Sequence, residues 1–169
     1  PSPPPPATPL AVDSGCPTNA SCSLAGALMS LHSDHAAGLP AVIHLGAGEH
    51  TLDDGPFDFD PLIRASMVRL LGAPGAALRA GRSRATVLRT TVGAPPLTLI
   101  GLLLLSQLAV DGGELSLRNC TFANCSADLG GALRLSGGSL VAEGTAFVGC
   151  TARRGGALHV SAGSASFSG

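Results

Sequence analysis

Residues 120–144 read CTFANCSADLGGALRLSGGSLVAEG, and residues 145–169 read TAFVGCTARRGGALHVSAGSASFSG. Set one over the other, eleven of the 25 positions are identical, among them Phe122/Phe147, Cys125/Cys150 and Gly130–Leu133 over Gly155–Leu158. A fixed period of this length marks a repeat architecture, in which each unit is one turn of a stacked chain. The differences carry as much as the identities: Asn119 falls over Gly144 and Asn124 over Gly149. Asn and Gly are the residues that most readily take a left-handed backbone, so both positions read as corners.

Between the corners the pattern alternates. Leu133 and Leu135 fall over Leu158 and Val160, and upstream over Leu108 and Val110. Arg134 and His159 take the opposite, outward parity, and period two marks a strand with one buried face. Leu115 and Leu117, over Leu140 and Ala142, give a second strand, and Cys120 with Phe122, over Thr145 and Phe147, a third. Three short strands and three corners in about 25 residues make one turn of a triangular coil, each strand pairing in parallel about 4.8 Å from its equivalent. One coil cannot bury its own inner face, so several must stack. The fold expected is all-β: a right-handed parallel β-helix. A leucine-rich repeat has a comparable period, but its Asn or Cys after L-x-x-L-x-L is missing.

Upstream, Ala41–Leu52 looks like the opening coil of many such solenoids, a strand, a Gly-containing turn and a second strand, and Val68–Ala73 and Ala85–Leu88 would follow as the next strands. Leu24, Ala27, Leu28 and Leu31 follow helical spacing, with Ser21 or Ser23 placed to cap. This short helix is expected to cover the lower end of the solenoid. Three segments follow: a Pro-rich disordered linker over 1–12, a cap over 13–38, and the β-helix over 39–169. By register Gly169 falls in mid-coil, so the β-helix is expected to be truncated there. Its open edge, with Leu158, Val160 and Phe167 uncovered, is expected to self-associate.

Composition narrows the function. The chain has 169 residues, 45% of them hydrophobic, and a formal net charge of −1 in which every basic residue is Arg. No basic field attracts nucleic acid. The longest apolar run, Leu97–Leu105, is about half of the ~20 residues of a membrane helix and reads as buried strand, so no transmembrane span is expected. No G-x-S-x-G, H-E-x-x-H or phosphate loop occurs, and nothing calls for a cofactor.

Five cysteines occur. Cys16 and Cys22 suit a bridge closing a small loop in an oxidising compartment. Cys125 and Cys150, one coil apart, either form a disulfide or stand as an inward ladder of free thiols. All three Asn lie in N-x-[ST] sequons: Asn19, Asn119 and Asn124. Either they carry glycans or they are corner residues followed by the small polar residues that turns favour. Asp53, Asp54, Asp58 and Asp60 could hold calcium, against the plainer reading of an acidic solvated loop. Arg79, Arg82, Arg84 and Arg89 could grip a uronate chain, against outward solubilising charge. His32 and His35, three apart on the helix, lack further ligands for a metal site.

The G-G-A-L elements at 130–133 and 155–158, with Phe122–Cys125 and Phe147–Cys150 as F-x-x-C elements, resemble the pectin-lyase-like β-helix superfamily. They are more closely similar to the repeats of polymorphic outer-membrane-type surface proteins, which pair G-G-A-[ILV] with F-x-x-N. The resemblance covers roughly 108–169, and the Pro-rich start resembles the hydroxyproline-rich stalks of algal wall proteins. It implies an extracellular or cell-surface protein of the secretory pathway in a structural, adhesion or matrix role, and the lack of paired acids on successive coils favours a non-enzymatic one. Its implied partners are glycans or other surface proteins. The alternative is a polysaccharide lyase or hydrolase acting on uronate-containing glycans. In such enzymes the catalytic carboxylates line one parallel face, where this chain has Arg134 and His159.

Overall fold

The computed structural model describes residues 10–12, 22–33, 37–82 and 85–169. Among these the chain is a parallel β-solenoid in which every strand pairing is parallel. The first sheet stacks Leu10–Val12, Ala41–Leu45, Val68–Gly72, Leu97–Ile100, Glu114–Arg118, Ser139–Glu143 and Ser164–Ser168. The second stacks Gly48–Leu52, Ala76–Ala80, Leu103–Leu104, Thr121–Ala123 and Ala146–Val148. The third stacks Phe57–Phe59, Thr86–Thr90, Gln107–Val110, Leu133–Leu135 and Leu158–Val160. Five strands in the second and third sheets correspond to about five coils.

The alternation read from the sequence sets this arrangement. Leu133 and Leu135 are fully buried while Arg134 between them is partly exposed, and Leu115 and Leu117 flank the half-exposed Ser116 in the same way. Register follows the repeat: Leu108 pairs with Leu133 and Leu133 with Leu158. A slip of one residue would turn every buried Leu outward, which is why the register is strongly specified. The corners also hold. Asn119 and Asn124 have φ of 49° and 52°, and Gly144 and Gly149, one coil on, have 56° and 63°.

The helix forms over Leu24–Ser33, with Leu24, Ala27, Leu28 and Leu31 buried. Ser23 Oγ accepts the Gly26 N–H at 3.0 Å, satisfying one of the unpaired donors of the first turn. The helix's apolar face joins the same core as the inward residues of the coils.

The structure departs from the sequence reading in four places. Leu10–Val12, assigned to the linker, pair with Ile43–Leu45 as a strand of the first sheet. Phe57–Phe59, within the supposed acidic loop, is a strand whose Phe59 is fully buried. Coil length is not constant: Leu70 pairs with Leu99, 29 residues on, Leu99 with Leu117, only 18 on, and Leu117 with Ala142, 25 on. Finally, the last two coils have a fourth strand, Ser126–Leu129 pairing with Thr151–Arg154. Only Ala127 of the lower strand is buried, so there was no apolar alternation to reveal it. The last coil is the least covered, with Val160 and Phe167 each 46% exposed.

Candidate functional site

The outward face of the third sheet carries the densest chemistry. Register places Asp58, Arg89, Ala109, Arg134 and His159 in one column, each one coil above the last. Arg89 donates to Asp58 through Nε at 2.7 Å and Nη2 at 2.6 Å, a two-pronged grip that suits the planar guanidinium. The Asp58 hydrogen bond is also the main reason that the Arg89 pKa lies above its ordinary value. Arg134 Nη2 reaches both oxygens of Asp111 at 3.1 and 3.2 Å, while its buried Nε has no hydrogen-bond partner.

The same pairing recurs on the other sheets. Arg118 meets Glu143 at 3.3 Å, directly across the register, and Arg79 meets Glu49 at 3.1 Å. The four Arg–carboxylate pairs among the described residues thus join one coil to the next, and a hydrogen-bond contact between His32 and Asp60, at 3.2 Å, joins the cap helix to the first coil. Partly exposed pairs of this kind contribute only about 0.2–1 kcal/mol each. They reinforce the stacking without leaving free carboxylates in the column.

The calcium candidates are not brought together. Asp58 is held by Arg89, and Asp60 accepts from the Leu62 N–H at 2.9 Å and pairs with His32. Asp53 and Asp54 are exposed, and no group of three potential metal ligands occurs among the described residues. His32 packs on Phe57 with ring centroids 5.5 Å apart, so it is a contact of the cap; His35 lies outside the described residues. Of the arginine cluster, Arg79 and Arg89 are paired, Arg82 is exposed, and Arg84 lies outside the described residues.

Asn119 and Asn124 are exposed at their corners. Each side chain lies along the axis, its Oδ1 beneath the Gly of the next coil: a Cβ built on Gly144 would stand 2.7 Å from Asn119 Oδ1. Asn19, Cys16 and Ser21 lie outside the described residues, so the Cys16–Cys22 pairing stays an expectation.

Of the two readings for the cysteine column, the structure has the ladder of thiols. Cys120, Cys125 and Cys150 are free. Cys125 Sγ donates to Leu104 O at 3.2 Å, and Cys120 is likewise buried. Burial pushes both thiols up, Cys125 to about 12 with a further push from neighbouring Cys150. The thiolate is the nucleophile, so burial also protects these sulfurs. Iodoacetamide on the native chain at pH 8 should therefore alkylate Cys150 while sparing Cys120 and Cys125, as read by peptide mass spectrometry. Alkylation of all three at one rate would contradict the burial.

Reading the sequence missed the Asp111–Arg134 pair and also Gln107. The latter accepts from Thr86 Oγ1 at 2.8 Å and donates to Gly130 O at 2.6 Å, tying three coils together. A register shift at Gln107/Leu108 marks the irregularity that lets it do so. No protein-family model, no curated protein and no solved structure matches this chain.

Proposed function

We propose that this chain is a non-enzymatic, extracellular or cell-surface β-helix repeat protein with a structural, adhesion or matrix role. One observation carries the reading: every Arg–carboxylate pair among the described residues binds coil to coil. Acid–base catalysis on a sugar needs two carboxylates free to exchange protons with the substrate. Asp58 and Asp111, the acids nearest the outward column, are instead each held by a guanidinium, Asp58 by Arg89 and Asp111 by Arg134. The GGAL and F-x-x-C elements support membership of the surface-repeat class they resemble. Among the described residues no helix is long and apolar enough to cross a membrane.

The secretory assignment rests on the sequons at exposed corners, Asn119 and Asn124. Chain secreted from eukaryotic cells should lose mass on treatment with an N-glycosidase, with both positions converted to Asp. The deglycosylated chain should release no unsaturated product from polygalacturonate or alginate, with or without calcium. Absence of any glycan would remove the support for secretion. Product formation abolished by Asp58→Asn would replace the structural reading with the lyase.

A further inference from the structure

The short coil creates a recess that the repeat pattern alone does not announce. At the corner between the second and third sheets, five residues separate Ala80 from Thr86, two separate Leu104 from Gln107, and nine separate Ala123 from Leu133. The middle coil is therefore cut back between two longer ones. The resulting cavity has a volume of about 260 Å³; Leu105 and Ser106 belong to the cut-back corner, Arg79 and Arg82 to the coil below, and Asn124 and Ser126 to the coil above. The strand that begins at Ser126 pairs only with the strand above it, so its lower edge has no strand partner.

The lining is one-sided in charge. It contains two guanidiniums, two hydroxyls and a side-chain amide, and no carboxylate. Arg79 shares its charge with Glu49, but Arg82 is exposed and has no acidic partner among the described residues. Ser106 is only 7% exposed, and its Oγ accepts the Ala80 N–H at 2.9 Å, which leaves the hydroxyl proton to donate. Guanidiniums and hydroxyls that line one small recess with no carboxylate among them are matched by an oxyanion, and guanidinium binds such groups by paired charge-assisted bonds. The volume lies below the ~300–1,000 Å³ of sites for drug-sized ligands, so the occupant is one small group.

We propose that this recess binds a single oxyanion group: the carboxylate or sulfate of an acidic sugar, or a phosphate. The inference is independent of where the protein resides. Asn124 lies on the rim, so a glycan attached there would obstruct the entrance.

The test is a titration of the ¹⁵N-labelled full chain, made in bacteria so that Asn124 is unmodified, followed by amide chemical shifts. The probes are sodium sulfate, sodium phosphate, glucuronate and neutral glucose. Saturable shifts at Ser106 and Ser126 are expected with at least one anion and not with glucose. Response to sulfate or glucuronate without phosphate assigns an acidic sugar, and response to phosphate alone assigns a phosphate. Arg82→Gln should weaken binding roughly tenfold or more, the scale of one lost hydrogen bond to a charged group. Arg153→Gln, an exposed arginine outside the recess, should leave it unchanged; unshifted remote amides establish that each variant is folded. No saturable shift, equal shifts with glucose, or equal weakening by Arg153→Gln would overturn the proposal.

Discussion

Phe122→Ala should destabilise the solenoid by about 3–5 kcal/mol, the range for removing a buried aromatic. Phe122 is fully buried. It pairs with Leu104 below and Phe147 above, and its ring stacks on Phe147 with centroids 5.2 Å apart and planes 11° from parallel. The coils on either side hold the cavity walls by backbone ladders, so the site cannot easily collapse around the missing ring. Phe147→Ala should cost less, because Phe147 is only partly buried and sits near the least covered coil. In a quasi-one-dimensional array such a loss frays the end, whereas a loss at Phe122 breaks the stack in its interior. Urea denaturation of both variants reads the difference. Equal, near-neutral effects would mean that the inward parity of the second sheet is wrong.

Gly138→Val should cost a similar amount, roughly 2–5 kcal/mol, combining backbone strain with overpacking. Gly138 turns the chain between the third and first sheets with φ of 77°, a conformation that branched side chains rarely adopt. There is no room beside it either. An added Cβ would stand 2.4 Å from Gly113 O and 2.8 Å from Gly112 C, both backbone atoms of the coil below. That same Gly113 carbonyl accepts the Ser139 N–H at 2.9 Å, so the clash cannot be relieved without loosening the ladder. Val141→Thr, at a 40% exposed position of the same coil, supplies the baseline. A Gly138→Val chain as stable as the Val141→Thr chain would contradict the tight turn.

The fold was legible where the sequence repeats with little change. The substitution of Asn for Gly at 119/144 and 124/149 located two corners, and alternation of Leu about Arg134 gave the third sheet its parity. Helical spacing of Leu24, Ala27, Leu28 and Leu31 gave the cap. The rest was hidden for identifiable reasons. The 18-residue step from Leu99 to Leu117 breaks any alignment at a 25-residue period, so the short coil and its recess had no sequence signature. In the strand Phe57–Phe59, one Asp between two Phe sits within a run of acids that reads as solvated loop. Its partner, Arg89, lies 31 residues away, at a spacing that no local pattern predicts. Arg79 and Arg82 were legible as a basic cluster, but only the overhanging corner at Asn124 and Ser126 places them in a cavity.

The central claim is that coils stack in parallel at these unequal steps, and cross-strand nuclear Overhauser contacts test it most directly. The backbone protons of the first sheet should connect Leu97 to Leu115, Leu115 to Leu140, and Leu140 to Ala165, in the parallel pattern. Steps of 18, 25 and 25 residues in that order are the expected result. Antiparallel contacts within the repeat, or a Leu115 that contacts neither Leu97 nor Leu140, would contradict the solenoid.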